Sequence, residues 1–108
     1  WECFQEIFAA LPLCVRTETA AIMHGGIPSD GFQLSELESV TPEQRSKIKS
    51  TLEPGDDPIC QLVQNVLWSD PRPEMGVHPN EDRGAGVHFG PDVLQRFLKE
   101  HGLNIFIR

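Results

Sequence analysis

The sequence has few basic residues and no long apolar run. Nine Lys and Arg stand against sixteen Asp and Glu, and the formal net charge is -7. Proteins that bind nucleic acid through phosphates need a basic face, so this balance argues against a nucleic-acid partner. No apolar stretch is long enough for a membrane span, and none has the pattern of a signal peptide. We therefore expect a soluble protein of the cytoplasm or the nucleus.

Cysteine is also scarce. The three residues Cys3, Cys14 and Cys60 are odd in number and lack C-x-x-C spacing. This pattern fits free thiols in a reducing compartment better than a disulfide framework or a zinc knuckle. The sequence contains no internal repeat, no low-complexity tract and no EF-hand loop, so it gives no ground for calcium regulation.

What remains is an alternation of helical and strand-like segments. Apolar residues recur at helical spacing from Trp1 to Leu11, and the pattern ends at Pro12. We expect an amphipathic helix whose apolar stripe packs on a sheet. The other predicted elements are one or two strands in residues 13–23, helices in 34–40, 41–52, 59–67 and 91–101, a surface loop in 72–84, and strands in 85–89 and 103–108. This order favours an α/β fold.

Two of these helices carry boundary signals. Thr41 is the expected N-cap, Pro42 the first helical residue and Gln44 the reciprocal partner of a capping box. Gly102 lies just beyond the last helix, where glycine commonly ends a helix in the left-handed conformation.

The segment from Ala20 to Gly26 holds the first candidate site residue. An apolar run ends at His24, and two glycines follow. This pattern predicts a buried strand that presents an imidazole at its carboxyl end, next to a backbone that a ligand or metal can approach closely. Imidazole is a common ligand of first-row metals. By itself, a histidine beside glycines is more often structural.

Further motifs follow in a fixed order. They are Leu67-Trp68-Ser69-Asp70-Pro71, then Arg83-Gly84-Ala85-Gly86-Val87-His88-Phe89-Gly90-Pro91-Asp92-Val93, then Ile105-Phe106-Ile107-Arg108. With His24-Gly25-Gly26, this set resembles the catalytic domain of the phosphoprotein Ser/Thr phosphatases. Within that family it looks most like the EF-hand phosphatases and next the tetratricopeptide-containing phosphatases. The resemblance implies part of a metallophosphoesterase (calcineurin-like) sandwich, with helices packed on mixed sheets.

The resemblance also implies roles for four residues. His24 would bind one of two divalent metal ions, which would be Mn, Fe or Zn. Arg83 would hold the phosphate group, a task that suits the forked donors of a guanidinium. Trp68 would form a wall of the substrate groove, and Asp70 would make supporting polar contacts. In the parent enzyme a metal-activated water would hydrolyse phosphoserine and phosphothreonine.

Several parts of the family pattern are absent from the chain. The segments G-D-x-H-G, G-D-x-x-D-R-G and G-N-H-E, which supply most metal ligands and the general acid, do not occur. No catalytic residue is therefore assigned, and we expect residues 1–108 to be part of a single catalytic domain, truncated at both ends and inactive alone. The alternative is a pseudophosphatase or protein-binding module that lacks catalysis. Expected partners are phosphoprotein substrates and a regulatory protein.

Three further histidines are assigned structural roles. His78 is expected in solvent, and His88 is expected to be half-buried with its hydrogen bonds satisfied. His101 lies in the last turn of a helix, where a positive side chain would interact favourably with the helix dipole.

Overall fold

Two small sheets and four α-helices form the protein in a computed structural model, which describes residues 1–47 and 57–108. The helices are α1 (Glu2–Ala10), α2 (Pro42–Lys47), α3 (Pro58–Trp68) and α4 (Pro91–His101), and a 3-10 helix spans Leu34–Ser39. The strands are β1 (Cys14–Arg16), β2 (Ala20–Met23), β3 (Asp70–Pro71), β4 (Val77–Pro79), β5 (Val87–Phe89) and β6 (Ile105–Ile107).

Both sheets are mixed. The first has the order β1-β2-β6, with β1 antiparallel and β6 parallel to the central β2. The second has the order β3-β5-β4, with β3 parallel and β4 antiparallel to the central β5. The α/β class, which the order of elements predicts, and the mixed sheets, which the resemblance implies, are confirmed.

One hydrophobic core joins the two sheets to α3 and α4. Ala21 and Met23 of β2 and Phe89 of β5 are almost fully buried in it. The ring of Phe106 on β6 meets Phe89 edge to face, with the ring centres 6.2 Å apart. Because aromatic pairs favour this arrangement, the contact helps to fix the position of β6 against β5.

The predicted helix boundaries are confirmed where they can be compared. The Thr41 backbone N–H donates to Gln44 Oε1 at 2.9 Å, and the Gln44 backbone N–H donates to Thr41 Oγ1 at 3.2 Å. This is the reciprocal pattern of a capping box. Gly102 adopts the left-handed conformation, with φ 64°, at the end of α4. The predicted end of the α2 helix, near Leu52, lies outside the described residues.

Two predictions about packing and loops are wrong. The apolar stripe of α1 does not pack on a sheet: α1 contacts α2, has no buried residue, and exposes Phe4 and Phe8 by more than half. Helical spacing shows that a stripe exists, but it does not show what covers the stripe. The predicted loop at 72–84 contains β4, because a segment rich in Pro and Gly can still supply a short edge strand.

Candidate functional site

The His24-Gly25-Gly26 segment leaves β2 and docks onto the end of α3. The Gly26 N–H donates to the carbonyl oxygen of Val66 at 3.0 Å. A Cβ atom on Gly25 would lie 2.3 Å from that same oxygen, and one on Gly26 would lie 2.2 Å from the Phe89 ring. Both glycines are therefore required by close approach to neighbouring groups. The contact places the exposed His24 directly beside the last turn of α3.

The end of α3 delivers the second motif. Ser69, fully buried, caps the helix by donating from its hydroxyl to the Asn65 carbonyl at 2.5 Å, and it accepts from the Val87 N–H at 3.1 Å. This hydroxyl ties the start of β3 to β5. Trp68, on one side of Ser69, is 37% exposed, and Asp70, on the other side, begins β3.

Asp70 accepts hydrogen bonds from three side chains. Arg83 donates from Nε to Asp70 Oδ2 at 2.5 Å and from Nη2 to Oδ1 at 3.3 Å. Arg108 donates from Nη2 to Oδ1 at 2.8 Å. Asn80 donates from Nδ2 to Oδ2 at 2.9 Å. The carboxylate thus joins residues from β3, from the end of β6 and from the loop between β4 and β5.

The charges of this cluster affect the ionisation of Asp70. Burial favours the neutral acid, but the hydrogen bonds from Arg83, Arg108 and Asn80 outweigh it and lower the pKa of Asp70 from 3.8 to about 2. Asp70 is therefore ionised at neutral pH. With one carboxylate between two guanidinium groups, the cluster carries a net positive charge in a chain whose net charge is -7.

A backbone hydrogen bond and a contact with an aromatic ring also hold Arg83 in place. Its backbone N–H donates to Asn80 Oδ1 at 3.3 Å, and the centre of its guanidinium lies 5.9 Å from the centre of the Trp68 ring. This distance is within the range of a cation–π interaction. Since Asp70 engages Nε and Nη2, the Nη1 group has no partner in the described parts of the chain. An anion can therefore approach Arg83 from that side.

Three of the four predicted site residues come together. Trp68, Asp70 and Arg83 form one contiguous cluster through the contacts above. His24 lies on the same side of the fold, since the parallel pairing of Ile22 with Ile107 brings the ends of β2 and β6 level, with Arg108 at the end of β6. No hydrogen bond or ion pair in the described residues links His24 to the cluster.

Two residues of the cluster are not predicted as site residues. Arg108 is recognised only as the end of a strand motif, although a charged residue that directly follows an apolar strand was a usable signal. Asn80 is 3% exposed and bonds to both Asp70 and Arg83. No sequence pattern marks Asn80, because its role depends on a fold that brings residues 68, 70, 80 and 83 together.

Two of the structural roles given to histidines need correction. His88 is partly buried, but its Nε2 has no hydrogen-bond partner among the described residues and lies 3.7 Å from Asp82 Oδ2. At His101, Nε2 accepts from the Leu34 N–H at 3.2 Å while Nδ1 lies 2.8 Å from the Phe97 carbonyl. An imidazole that accepts at one nitrogen is neutral, so the interaction with the helix dipole is not its role. The ring instead joins α4 to the 3-10 helix.

The chain belongs to the calcineurin-like phosphoesterase family, whose model matches residues 1–108. It is 40% identical over 111 residues to Serine/threonine-protein phosphatase rdgC of Drosophila melanogaster, a match covering 95% of this chain and 16% of that protein. It is 39% identical over 111 residues to Serine/threonine-protein phosphatase 5 of Homo sapiens, a match covering 100% of this chain and 20% of that protein. The resemblance to the Ser/Thr phosphatases is thereby confirmed.

A solved structure supports the same assignment. A protein serine/threonine phosphatase from Saccharomyces cerevisiae, described as similar to human phosphatase PP5, matches with a TM-score of 0.69 at 30% identity. The match covers 98% of this chain and 30% of that one. The chain thus spans about a fifth or less of the length of the curated relatives named above.

The family implies divalent metal ions, and such an ion needs several His, Cys, Asp or Glu ligands close together. Within residues 1–47 and 57–108, no three His, Cys, Asp or Glu side chains lie close enough together to form a metal site. His24 is the single candidate ligand from the motifs, and one imidazole cannot hold a dinuclear centre. The described residues therefore do not make up a metal centre by themselves.

No helix in the described ranges is both long enough and apolar enough to cross a membrane.

Proposed function

We propose that the protein containing this chain is a metal-dependent Ser/Thr protein phosphatase and that residues 1–108 are part of its single catalytic domain. Membership of the calcineurin-like phosphoesterase family supports this, as do relatives that are named Ser/Thr phosphatases. The substrates would be proteins phosphorylated on serine or threonine. The location would be the cytoplasm or the nucleus, and a regulatory protein would be a further partner.

The way Asp70 holds Arg83 carries this proposal. A phosphate group bound at Nη1 of Arg83 would meet a guanidinium already oriented by Asp70 and by the face of Trp68. Preorganised donors stabilise developing negative charge without having to reorient during the reaction. Arg108, which donates to Oδ1 of Asp70, adds a second positive charge to the cluster. Arg83 is thus the phosphate-binding residue, Asp70 and Asn80 position it, and Trp68 borders the groove.

His24 would contribute one ligand to the metal centre of the complete domain, with Mn, Fe or Zn as the candidate ions. The imidazole is exposed at the end of β2, and it makes no hydrogen bond to another described residue. Coordination requires its neutral form, so metal binding through His24 should weaken with falling pH. The remaining ligands would have to come from outside the described residues.

The test is the steady-state hydrolysis of a phosphothreonine peptide by the complete gene product in the presence of Mn²⁺. Arg83→Lys keeps the charge but removes the forked donors, and we expect kcat/KM to fall about a hundredfold. Arg96→Lys is the matched control, because Arg96 on α4 pairs with Asp30 and Asp92 and touches none of the cluster. Equal activity of the Arg83→Lys variant and the wild type would refute the role of Arg83.

The same assay separates the phosphatase from the alternative, a pseudophosphatase or protein-binding module. A complete gene product that also lacks a group of metal ligands would favour that alternative. A complete gene product that shows no hydrolysis with Mn²⁺, Fe²⁺ or Zn²⁺ would establish it. The 108-residue chain alone should not hydrolyse p-nitrophenyl phosphate. Turnover that is lost in the His24→Ala variant would show that this expectation is wrong.

A further inference from the structure

A second concave site lies away from the Asp70 cluster and shares no residue with it. This cavity has a volume of about 430 Å³, is open to solvent on one side, and is lined by residues of β1, the 3-10 helix, α2 and the end of α4. Its size is within the range of pockets that bind small molecules.

The lining of the cavity combines apolar and cationic groups. Leu13, Leu34 and Leu37 supply apolar surface. Arg16 and Arg45 supply two guanidinium groups, and Glu38 supplies one carboxylate. The charged lining thus has a net positive charge. A ligand that matches this surface has an apolar body and an acidic group.

Neither guanidinium is neutralised within the described chain. Arg16 donates from Nη2 to the carbonyl of His101 at 2.9 Å, and Arg45 donates from Nη1 to the carbonyl of Leu11 at 2.7 Å. Both acceptors are uncharged backbone groups, and neither arginine forms a salt bridge with a described residue. These carbonyl contacts fix the side chains and leave other N–H donors of each group unused, since a guanidinium has five.

Arg45 gives an independent sign that its environment is incomplete. Its Nε is buried and has no hydrogen-bond partner in the described residues. Buried donors, charged ones above all, are normally paired. A carboxylate bound at the Nη groups would leave this Nε unpaired, but it would give the Arg45 guanidinium the ion-pair partner that it lacks among the described residues.

We propose that this cavity binds a small organic carboxylate, with the carboxylate between Arg16 and Arg45 and the apolar body against Leu13, Leu34 and Leu37. Charge-assisted hydrogen bonds from guanidinium to carboxylate are among the stronger polar contacts in proteins. Glu38 opposes an anion and so weakens the binding without abolishing it. The site is separate from the proposed phosphatase chemistry and does not depend on it.

The test uses isothermal titration of the protein with 4-phenylbutanoate and with 4-phenylbutanamide, which has the same shape and no charge. We expect the acid to bind about tenfold more tightly than the amide. Arg16→Met and Arg45→Met should each weaken binding of the acid about tenfold. Glu38→Gln should strengthen it about threefold, because a repulsive charge is removed.

Lys99→Met is the matched control, since Lys99 is an exposed cation that does not line the cavity. It should change the affinity less than twofold. Equal affinity for acid and amide, or no binding of the acid, would overturn the proposal. So would a Lys99→Met effect as large as that of Arg16→Met. If Arg45→Met fails to fold, Arg16→Met and the gain of affinity in Glu38→Gln decide the question.

Discussion

Replacing Asp70 by Asn tests whether one carboxylate holds the candidate phosphate site together. The change preserves the shape of the side chain and removes its charge. Both oxygens of Asp70 accept hydrogen bonds, Oδ2 from Asn80 and Arg83, and Oδ1 from Arg83 and Arg108. An amide offers one oxygen and one NH₂ group, so at least one of these donors would face another donor.

The structure sets the size of the effect on the free energy of unfolding. The Asp70 side chain is 18% exposed, whereas those of Arg83 and Arg108 are 47% and 35% exposed. Water screens both ion pairs, so each contributes no more than about 1 kcal/mol. The hydrogen bond from Asn80 adds about 1 kcal/mol. We expect Asp70→Asn to destabilise the protein by about 2 kcal/mol at pH 7.

The pH dependence follows from the lowered pKa of Asp70. In the folded protein this pKa is about 2, whereas its ordinary value is 3.8. The unfolded chain therefore takes up the proton first as the pH falls, and the folded state loses stability. The contribution of the ionised Asp70 carboxylate to the free energy of unfolding is complete above about pH 4 and disappears as the pH falls through about 2. The difference between wild type and variant should shrink over this window.

Urea denaturation at pH 7, and then stepwise from pH 5 to pH 2, measures both effects. Asp30→Asn is the matched control, because Asp30 pairs with Arg96 but its side chain is 54% exposed. The control should lose less than about 1 kcal/mol. A loss at Asp70→Asn no larger than in the control would refute the reasoning. A difference that stays constant from pH 5 to pH 2 would refute it as well.

Two further substitutions test local features of the fold by thermal unfolding. Gly25→Ala should destabilise by about 3 kcal/mol, since the new Cβ would lie 2.3 Å from the Val66 carbonyl oxygen, which the backbone of α3 holds in place. Gly84→Ala is the control, because a Cβ at Gly84 meets open space and only its left-handed backbone is strained; it should cost about 1 kcal/mol. Equal losses of stability in the Gly25→Ala and Gly84→Ala variants would contradict the packing argument. Thr41→Ala should cost about 1 kcal/mol by removing the N-cap of α2, whereas Thr41→Ser, which keeps the hydroxyl, should retain most of the stability. Equal stability of the two variants would show that the cap contributes nothing.

Local signals in the sequence were sufficient to predict those features of the structure that depend only on residues close together in the chain. The capping box of Thr41 and Gln44 and the terminal Gly102 were predictable because each acts within a few residues of its own position. The alternation of helices and strands was predictable for the same reason. The exposure of the apolar stripe of α1 was not predictable, because burial depends on which other elements pack against a helix.

The candidate site also combines features that the sequence indicates with features that depend on the fold. The sequence by itself determined the candidate side chains, since His24, Trp68, Asp70 and Arg83 stand in motifs that resemble one family. Only the tertiary structure decided that Asp70 binds Arg83 and Arg108 at once, that Asn80 supports both Asp70 and Arg83, and that Gly25 must lack a side chain. Except for the bond between Asn80 and Arg83, these contacts join residues 10 to 41 positions apart. They depend on how the two sheets and α3 pack together, and that arrangement leaves no local pattern in the sequence.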